Sequence, residues 1–131
     1  MSLTQLITRA QLGIDAFEVH VEVHISNGLP AFTIVGLPQT AVREARDRVR
    51  SAIINSGFEF SAKRITVNLA PADLPKTGGR YDLPIALAIL GASQQIDIRG
   101  LDGTACFGEL ALSGACTRVD GLLPSLVACR E

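Results

Sequence analysis

An excess of charge of one sign is what this sequence most plainly lacks: twelve lysines and arginines stand against thirteen aspartates and glutamates, for a formal charge of −1. No global positive field draws the chain to nucleic acid or to an anionic membrane, so any such contact must come from a local patch. Long apolar runs are lacking too. The opening "MSLTQLITRAQLG" carries an arginine and polar residues where a signal peptide needs a continuous apolar stretch, and no later segment stays apolar long enough to span a bilayer. The expectation is a cytoplasmic protein with no membrane contact. Cysteine is scarce as well. Cys106, Cys116 and Cys129 are odd in number and never spaced C-x-x-C, which excludes a paired zinc or redox motif and reads as reduced thiols packed as small core residues.

What is present is apolar material. With 131 residues, 47% of them hydrophobic, the chain can bury one core, so residues 1–131 are expected to form a single domain. In "EVHVEVHI", Val19, Val21, Val23 and Ile25 alternate with Glu18, His20, Glu22 and His24, the period of a strand with one dry and one wet face. "SNGLP" supplies turn residues, "AFTIVGL" reads as the returning strand of an antiparallel pair, and "LTQLITRA" as a third strand. After Pro38 the period changes. Val42, Ala45, Val49, Ala52 and Ile53 recur at three and four residues, which predicts an amphipathic helix ending at Gly57. "RITVNLA" gives another strand, and "DLPIALAILGAS" a central helix, with Asp82 expected to cap its free N–H groups and Pro84 tolerated in the first turn. "TACFGELAL" and the residues after "SG" predict a hairpin. "GLLPSLVACRE" reads as a helix cut off by the chain end, as in a fragment of a longer protein. This order predicts a two-layer α+β domain, a mixed sheet with helices on one face.

Catalytic and ligand patterns are mostly excluded by order and spacing. In "PADLPKTGGRYD", Lys76 and Thr77 precede Gly78 and Gly79, the reverse of the glycine-then-lysine order of a phosphate loop. His20 and His24 have the H-x-x-x-H spacing of a zinc pair on a helix, but four residues along a strand separate them by roughly 13 Å. The same loop holds no serine for a nucleophile. Lys76 with Asp82 leaves one hydrolase reading open, as base and orienter, against the plainer reading of Asp82 as a cap. Arg43, Arg46 and Arg50 line one side of the first helix, and guanidinium groups suit phosphate or carboxylate. Glu44, Asp47 and Glu59 lie close in sequence, so a solvated salt-bridged face, a subunit contact and a nucleic-acid contact all stand for this stripe.

Three stretches carry a family likeness: "NGLPAFTIVGLP", "EARDRVRSAIINSGFEF" followed by Ser61 where the family has proline, and "NLAPADLPK". Through them the chain resembles, over its whole length, the N-terminal domain of the ComM/YifB family of magnesium-chelatase-like AAA+ ATPases. The resemblance implies a ribosomal-protein-S5-domain-2-like fold, similar to the proteolytic domain of Lon proteases. Lon-type sequences carry P-K-D-G-P-S-A-G, and "PKTGGRYD" aligns with it through Pro75, Lys76 and Gly78, which puts Arg80 at the serine nucleophile. "GELALSG" matches the later G-E-x-x-L-x-G through Gly108, Glu109, Leu112 and Gly114, and the downstream "DGLL" puts Leu123 at the general-base lysine. Arginine cannot attack as an alkoxide and leucine cannot take the proton, so the implied domain has no catalytic residue, cofactor or metal of its own. What the resemblance implies instead is an assembly and DNA-proximal domain beside an AAA+ module, hexameric in the longer protein. The Walker motifs for ATP and Mg²⁺ would then lie beyond Glu131, and the activity implied is DNA helicase or branch migration during recombination of incoming DNA. In that setting Arg43, Arg46, Arg50, Lys76 and Arg80 are the candidate DNA or subunit contacts. The alternatives are an autonomous nucleic-acid-binding module and the degenerate hydrolase on Lys76 and Asp82.

Overall fold

Alternating strand patterns need a neighbour on each edge and a cover on the dry face, and the computed structural model, which describes residues 2–12, 15–71, 76 and 79–117, supplies both. Strand β1 (Ser2–Leu12) pairs antiparallel with β2 (Asp15–Ser26), in register from Ser2 opposite Ile25 to Leu12 opposite Asp15. β2 pairs antiparallel on its other edge with β4 (Arg64–Ala70), and β4 pairs parallel with β3 (Ala31–Val35). The order is β1-β2-β4-β3.

This order corrects the expected antiparallel pair of β2 and β3. Ser26 and Ala31 both flank Arg64, so β4 lies between the two strands that the sequence places side by side. Five residues of extended chain reach up to ~17 Å, ample for the roughly 10 Å across two strand spacings. The parallel pair of β3 and β4 is made possible by helix α1 (Gln39–Asn55), which carries the chain back from the end of β3 to the start of β4. The turn into α1 requires Gly36. Its φ is +102°, and a side-chain carbon there would run into the Leu69 carbonyl oxygen.

One face of the sheet is dry. Val19, Val21, Val23, Ile65, Val67 and Leu69 are wholly buried, and Leu6, Thr8 and Ala10 continue the row on β1. Each such aliphatic contributes about 1.5–3 kcal/mol by leaving water. Against them packs helix α2 (Asp82–Ala92), buried on nearly every side, with α1 beside it through Ala45, Val49, Ala52 and Ile53. α1 ends as expected: Ser56 N–H reaches Ala52 O, and Gly57 follows in the left-handed region at φ +89°. The expected hairpin is short, β5 (Glu109–Leu110) against β6 (Cys116–Thr117), and Ile7 of β1 bridges Ala105 just before it. The helix expected in "GLLPSLVACRE", with Leu123, lies outside the described residues.

The cysteine expectation holds for one of the two described thiols. Cys106 is buried and burial pushes its thiol up, whereas Cys116 on β6 is exposed; both are free. Cys116 falls on the two-stranded hairpin, which has too little sheet to bury both faces.

Candidate functional site

Two arginine-bearing regions stand out, one at the start of α2 and one along α1. At the start of α2, the backbone itself satisfies the helix donors that a capping side chain would take. Asp82 N–H bonds to Gly79 O at 3.1 Å, Leu83 N–H to Gly108 O at 2.9 Å, Pro84 has no N–H, and Ile85 N–H bonds to Tyr81 O at 3.0 Å. Asp82 is therefore not the cap that was expected; Tyr81 holds that position, without a side-chain cap bond. Released from capping, the Asp82 carboxylate turns inward to 1% exposure. Arg48 of α1 grips it with two bonds, Nε to Oδ2 at 2.6 Å and Nη2 to Oδ1 at 3.2 Å, and Leu110 N–H donates to Oδ2 at 3.1 Å. One carboxylate thus ties both helices to the hairpin. Burial pushes this carboxyl up, while the bonds from Arg48 and Leu110 pull it down. The Arg48 guanidinium is held above its usual range by its bond to Asp82. The bidentate geometry is that of an ionised pair.

Lys76 and Arg80 belong to this same interior. They are 3% and 4% exposed, with Lys76 Nζ donating to Pro71 O at 2.6 Å and Arg80 Nη1 to Arg9 O at 3.1 Å. Arg80 also lies over the Phe107 ring at 5.7 Å. Gly108 N–H bonds to Arg80 O at 3.0 Å, which fixes the turn from both strand sides. Tyr81 is buried beside it, and its hydroxyl, like that of Thr8, finds no hydrogen-bond partner among the described residues. Desolvation pushes the Tyr81 phenol up to about 12, against the opposing pull of Arg80. The described bonds of Lys76 and Asp82 lead to different partners, Pro71 O for the first and Arg48 and Leu110 for the second. Residues 72–75, 77 and 78 of the loop lie outside the described residues.

The α1 stripe points outward. Arg43 and Arg50 are exposed and Arg46 is half-buried. Arg46 Nη1 donates to Phe32 O at 3.1 Å, and the Arg50 guanidinium lies 5.6 Å from the centre of the Phe60 ring. Phe60 in turn packs on Phe32, with centroids 5.2 Å apart and planes tilted by 48°. The segment that carries Phe60 is fixed by Gln95, whose amide mimics a strand: Glu59 N–H donates to Oε1 at 2.8 Å and Nε2 donates to Glu59 O at 2.7 Å. Next to Phe60, Lys63 and Arg64 are exposed, and an open groove of about 970 Å³ runs past Ser61 and Lys63 to Ser93, Gln94 and Gln95.

Sequence reasoning missed Arg48 and the aromatic pair. At 100° per residue, Arg46 and Arg48 flank the stripe of Ala45, Val49 and Ala52 on opposite sides. Arg48 also shares the three- and four-residue spacing with Ala45 and Ala52, the signal that it must find a buried partner. His20 and His24 lie on the open face of β2, His20 Nε2 2.9 Å from Glu18 Oε1 and Nδ1 2.6 Å from Gln5 Nε2. No group of three or more metal-ligating side chains occurs among the described residues, and none of their helices is long and apolar enough to cross a membrane.

Residues 21–131 match the family described as subunit ChlI of magnesium chelatase. The chain is 63% identical to YifB of Salmonella typhimurium over 125 residues, which cover 95% of this chain and 25% of that protein. It is 54% identical over 131 residues to the competence protein ComM of Haemophilus influenzae, covering 100% of this chain and 26% of ComM. A protein of Mycobacterium tuberculosis is 41% identical over 131 residues, again 100% of this chain and 26% of the relative. The chain thus spans about a quarter of the length of the curated relatives it matches.

Proposed function

The chain belongs to the magnesium-chelatase ChlI family, together with YifB and ComM, and from that premise we propose that it is a non-catalytic, DNA-proximal and assembly domain of an AAA+ ATPase. Its fold, in this reading, is the S5-domain-2-like fold of the Lon proteolytic domain. The longer protein is a hexameric, cytoplasmic motor that drives DNA unwinding or branch migration. ComM is named a competence protein, and we carry that tie across as recombination of incoming DNA.

The observation that carries the reading is the α1 stripe. Arg46 and Arg50 are held by Phe32 and Phe60 in a fixed row with exposed Arg43, which suits a backbone of regularly spaced phosphates. Lys76 and Arg80 serve the interior in the described conformation, so the stripe is the stronger of the two candidate contacts. Support for the non-catalytic part is chemical. Where a Lon-type enzyme keeps its nucleophile, Arg80 is buried and bonded to Arg9 O. The loop around Lys76 does not fit a phosphate cradle: Gly78 and Gly79 follow the lysine rather than precede it. ATP and Mg²⁺ therefore belong to other residues of the longer protein, and no step on this domain runs through them.

The test uses the longer protein, intact, lacking residues 1–131, or carrying Arg43→Ala with Arg50→Ala. Deletion should abolish branch migration, and the double substitution should weaken DNA binding with a shallower salt dependence while basal ATP hydrolysis persists. Unchanged binding and branch migration in the double variant would sink the DNA-proximal assignment.

A further inference from the structure

Resting on the DNA-proximal reading, we propose that α1 and the turn at residues 58–64 together form a single-strand site. Arg43, Arg46, Arg50 and Lys63 hold the phosphates, and Phe60 is the platform on which a base stacks. Three observations converge on it. Phe32 pairs with buried Ile65 and so faces the α1 side of the sheet, where it meets Phe60, and exposed Lys63 follows Phe60 three residues on. Arg46 and Arg50 reach the same two aromatics from the helix, one through the Phe32 carbonyl and one over the Phe60 ring. The groove that Phe60 lines is also lined by Ser61, Lys63 and the exposed amide of Gln94, groups that suit the edges of an unpaired base, with Glu59 as its carboxylate. Asp47 and Glu59 are the carboxylates on this face, whereas Glu44 is turned to Arg48 at 3.7 Å; four cations against two acids leave the patch positive although the chain is not.

The choice of a single strand over a duplex follows from shape. A helix that reads a duplex stands proud of its domain to enter a major groove about 12 Å wide. α1 cannot, because Ala45, Val49, Ala52 and Ile53 seat it on the core and the segment carrying Phe60 packs against the Arg50 flank. What it offers is a track: Arg43 and Arg50 lie about 10 Å apart along the axis, along one phosphate backbone. Aromatic rings interleaved with such a track are how unpaired strands are held without regard to sequence. An arriving base extends the stack of guanidinium on ring by one layer.

The test is fluorescence anisotropy of the chain with labelled oligothymidylate and with a duplex of equal length, at several salt concentrations. Oligothymidylate should bind about tenfold tighter than the duplex, with a slope of log K on log salt of roughly −2 to −3, as three or four phosphates require. Phe60→Leu should weaken it about tenfold and Phe60→Tyr should restore it, since stacking needs the ring and not its substituent. Arg43→Ala should reduce the slope by about 0.7. Thermal melts followed by circular dichroism separate lost binding from lost fold, and Arg50→Ala, a surface change, stands in if Phe60→Leu melts early. Duplex bound as tightly as single strand, or a folded Phe60→Leu chain that binds as well as its parent, overturns the single-strand site but leaves a DNA-proximal stripe standing. Poly-glutamate competing as well as oligothymidylate overturns it in favour of an acidic partner. Absence of binding to either nucleic acid overturns the site outright.

Discussion

Arg48 and Arg50 stand two residues apart on α1, yet the first reaches inward to a carboxylate that is 1% exposed and the second lies outward over the ring of Phe60. Around Arg48 the charged groups are committed to the protein: Asp82 to both helices and the hairpin, Lys76 to Pro71, Arg80 to Arg9. Around Arg50 the cations are placed by aromatics and a carbonyl but keep their outer sides in water. Residue type is the same in both regions. Depth and partner decide which arginines hold the domain together and which can meet another molecule.

The sharpest way to break this contrast is at Asp82. Asp82→Ala leaves the Arg48 guanidinium without its carboxylate and strands the Leu110 N–H, so it should destabilise the fold by about 3 kcal/mol, the low end for a buried pair because Arg48 is partly exposed. That corresponds to a melting temperature lowered on the order of 10 °C. Molecules that remain folded should bind nucleic acid as before; a selective loss of binding would merge the two regions. Next in size is an alkaline effect at Tyr81. Its folded pKa of about 12 lies above the ordinary 10, so the phenol's contribution is complete below pH ~10 and is lost as pH rises through ~12, about 2–3 kcal/mol in all. Tyr81 is the single tyrosine of the chain, so tyrosinate absorbance reports it alone. Tyr81→Phe should lose that alkaline fall and match or slightly exceed the parent at neutral pH, because the buried hydroxyl has no hydrogen-bond partner among the described residues to forfeit. A phenol titrating near 10 would mean that this interior is wet.

Smaller again is Arg80→Met, which keeps the apolar stem but gives up the bond to Arg9 O and the stack on Phe107. Chemical denaturation should register a loss of about 1–2 kcal/mol, with no change in nucleic-acid affinity. A tenfold affinity loss in a chain that melts like its parent would move Arg80 to the outer group. The smallest stability effect is expected at Arg43→Ala, within about 0.5 kcal/mol, although it is one of the substitutions that should alter the salt dependence of binding.

Much of this contrast was hidden in the sequence for identifiable reasons. Alternation in "EVHVEVHI" fixes which side chains face the core, and Val19, Val21, Val23 and Ile25 are buried accordingly. It says nothing about which strand lies alongside, and so β4 enters between β2 and β3 unannounced. Periodicity placed α1 and Gly57, and the outward stripe of Arg43, Arg46 and Arg50 was legible for the same reason. Phe32 and Phe60 were not read as a pair because 28 residues and a helix separate them. Asp82 looks like a cap by its position, and only the backbone bonds from Gly79 and Gly108 show that the helix end needs none. Arg80 and Lys76 are of types that rarely go inside, so their burial could be seen only once β1 and residues 106–109 had closed around them.

The amide of Gln95 has a kinetic side. By exchanging two bonds with the Glu59 backbone it holds the segment of the neighbouring Phe60 in place with no ligand bound. If a single strand binds on that ring as proposed, it surrenders its own freedom but asks the protein to surrender little, so encounter need not wait for a loop to close.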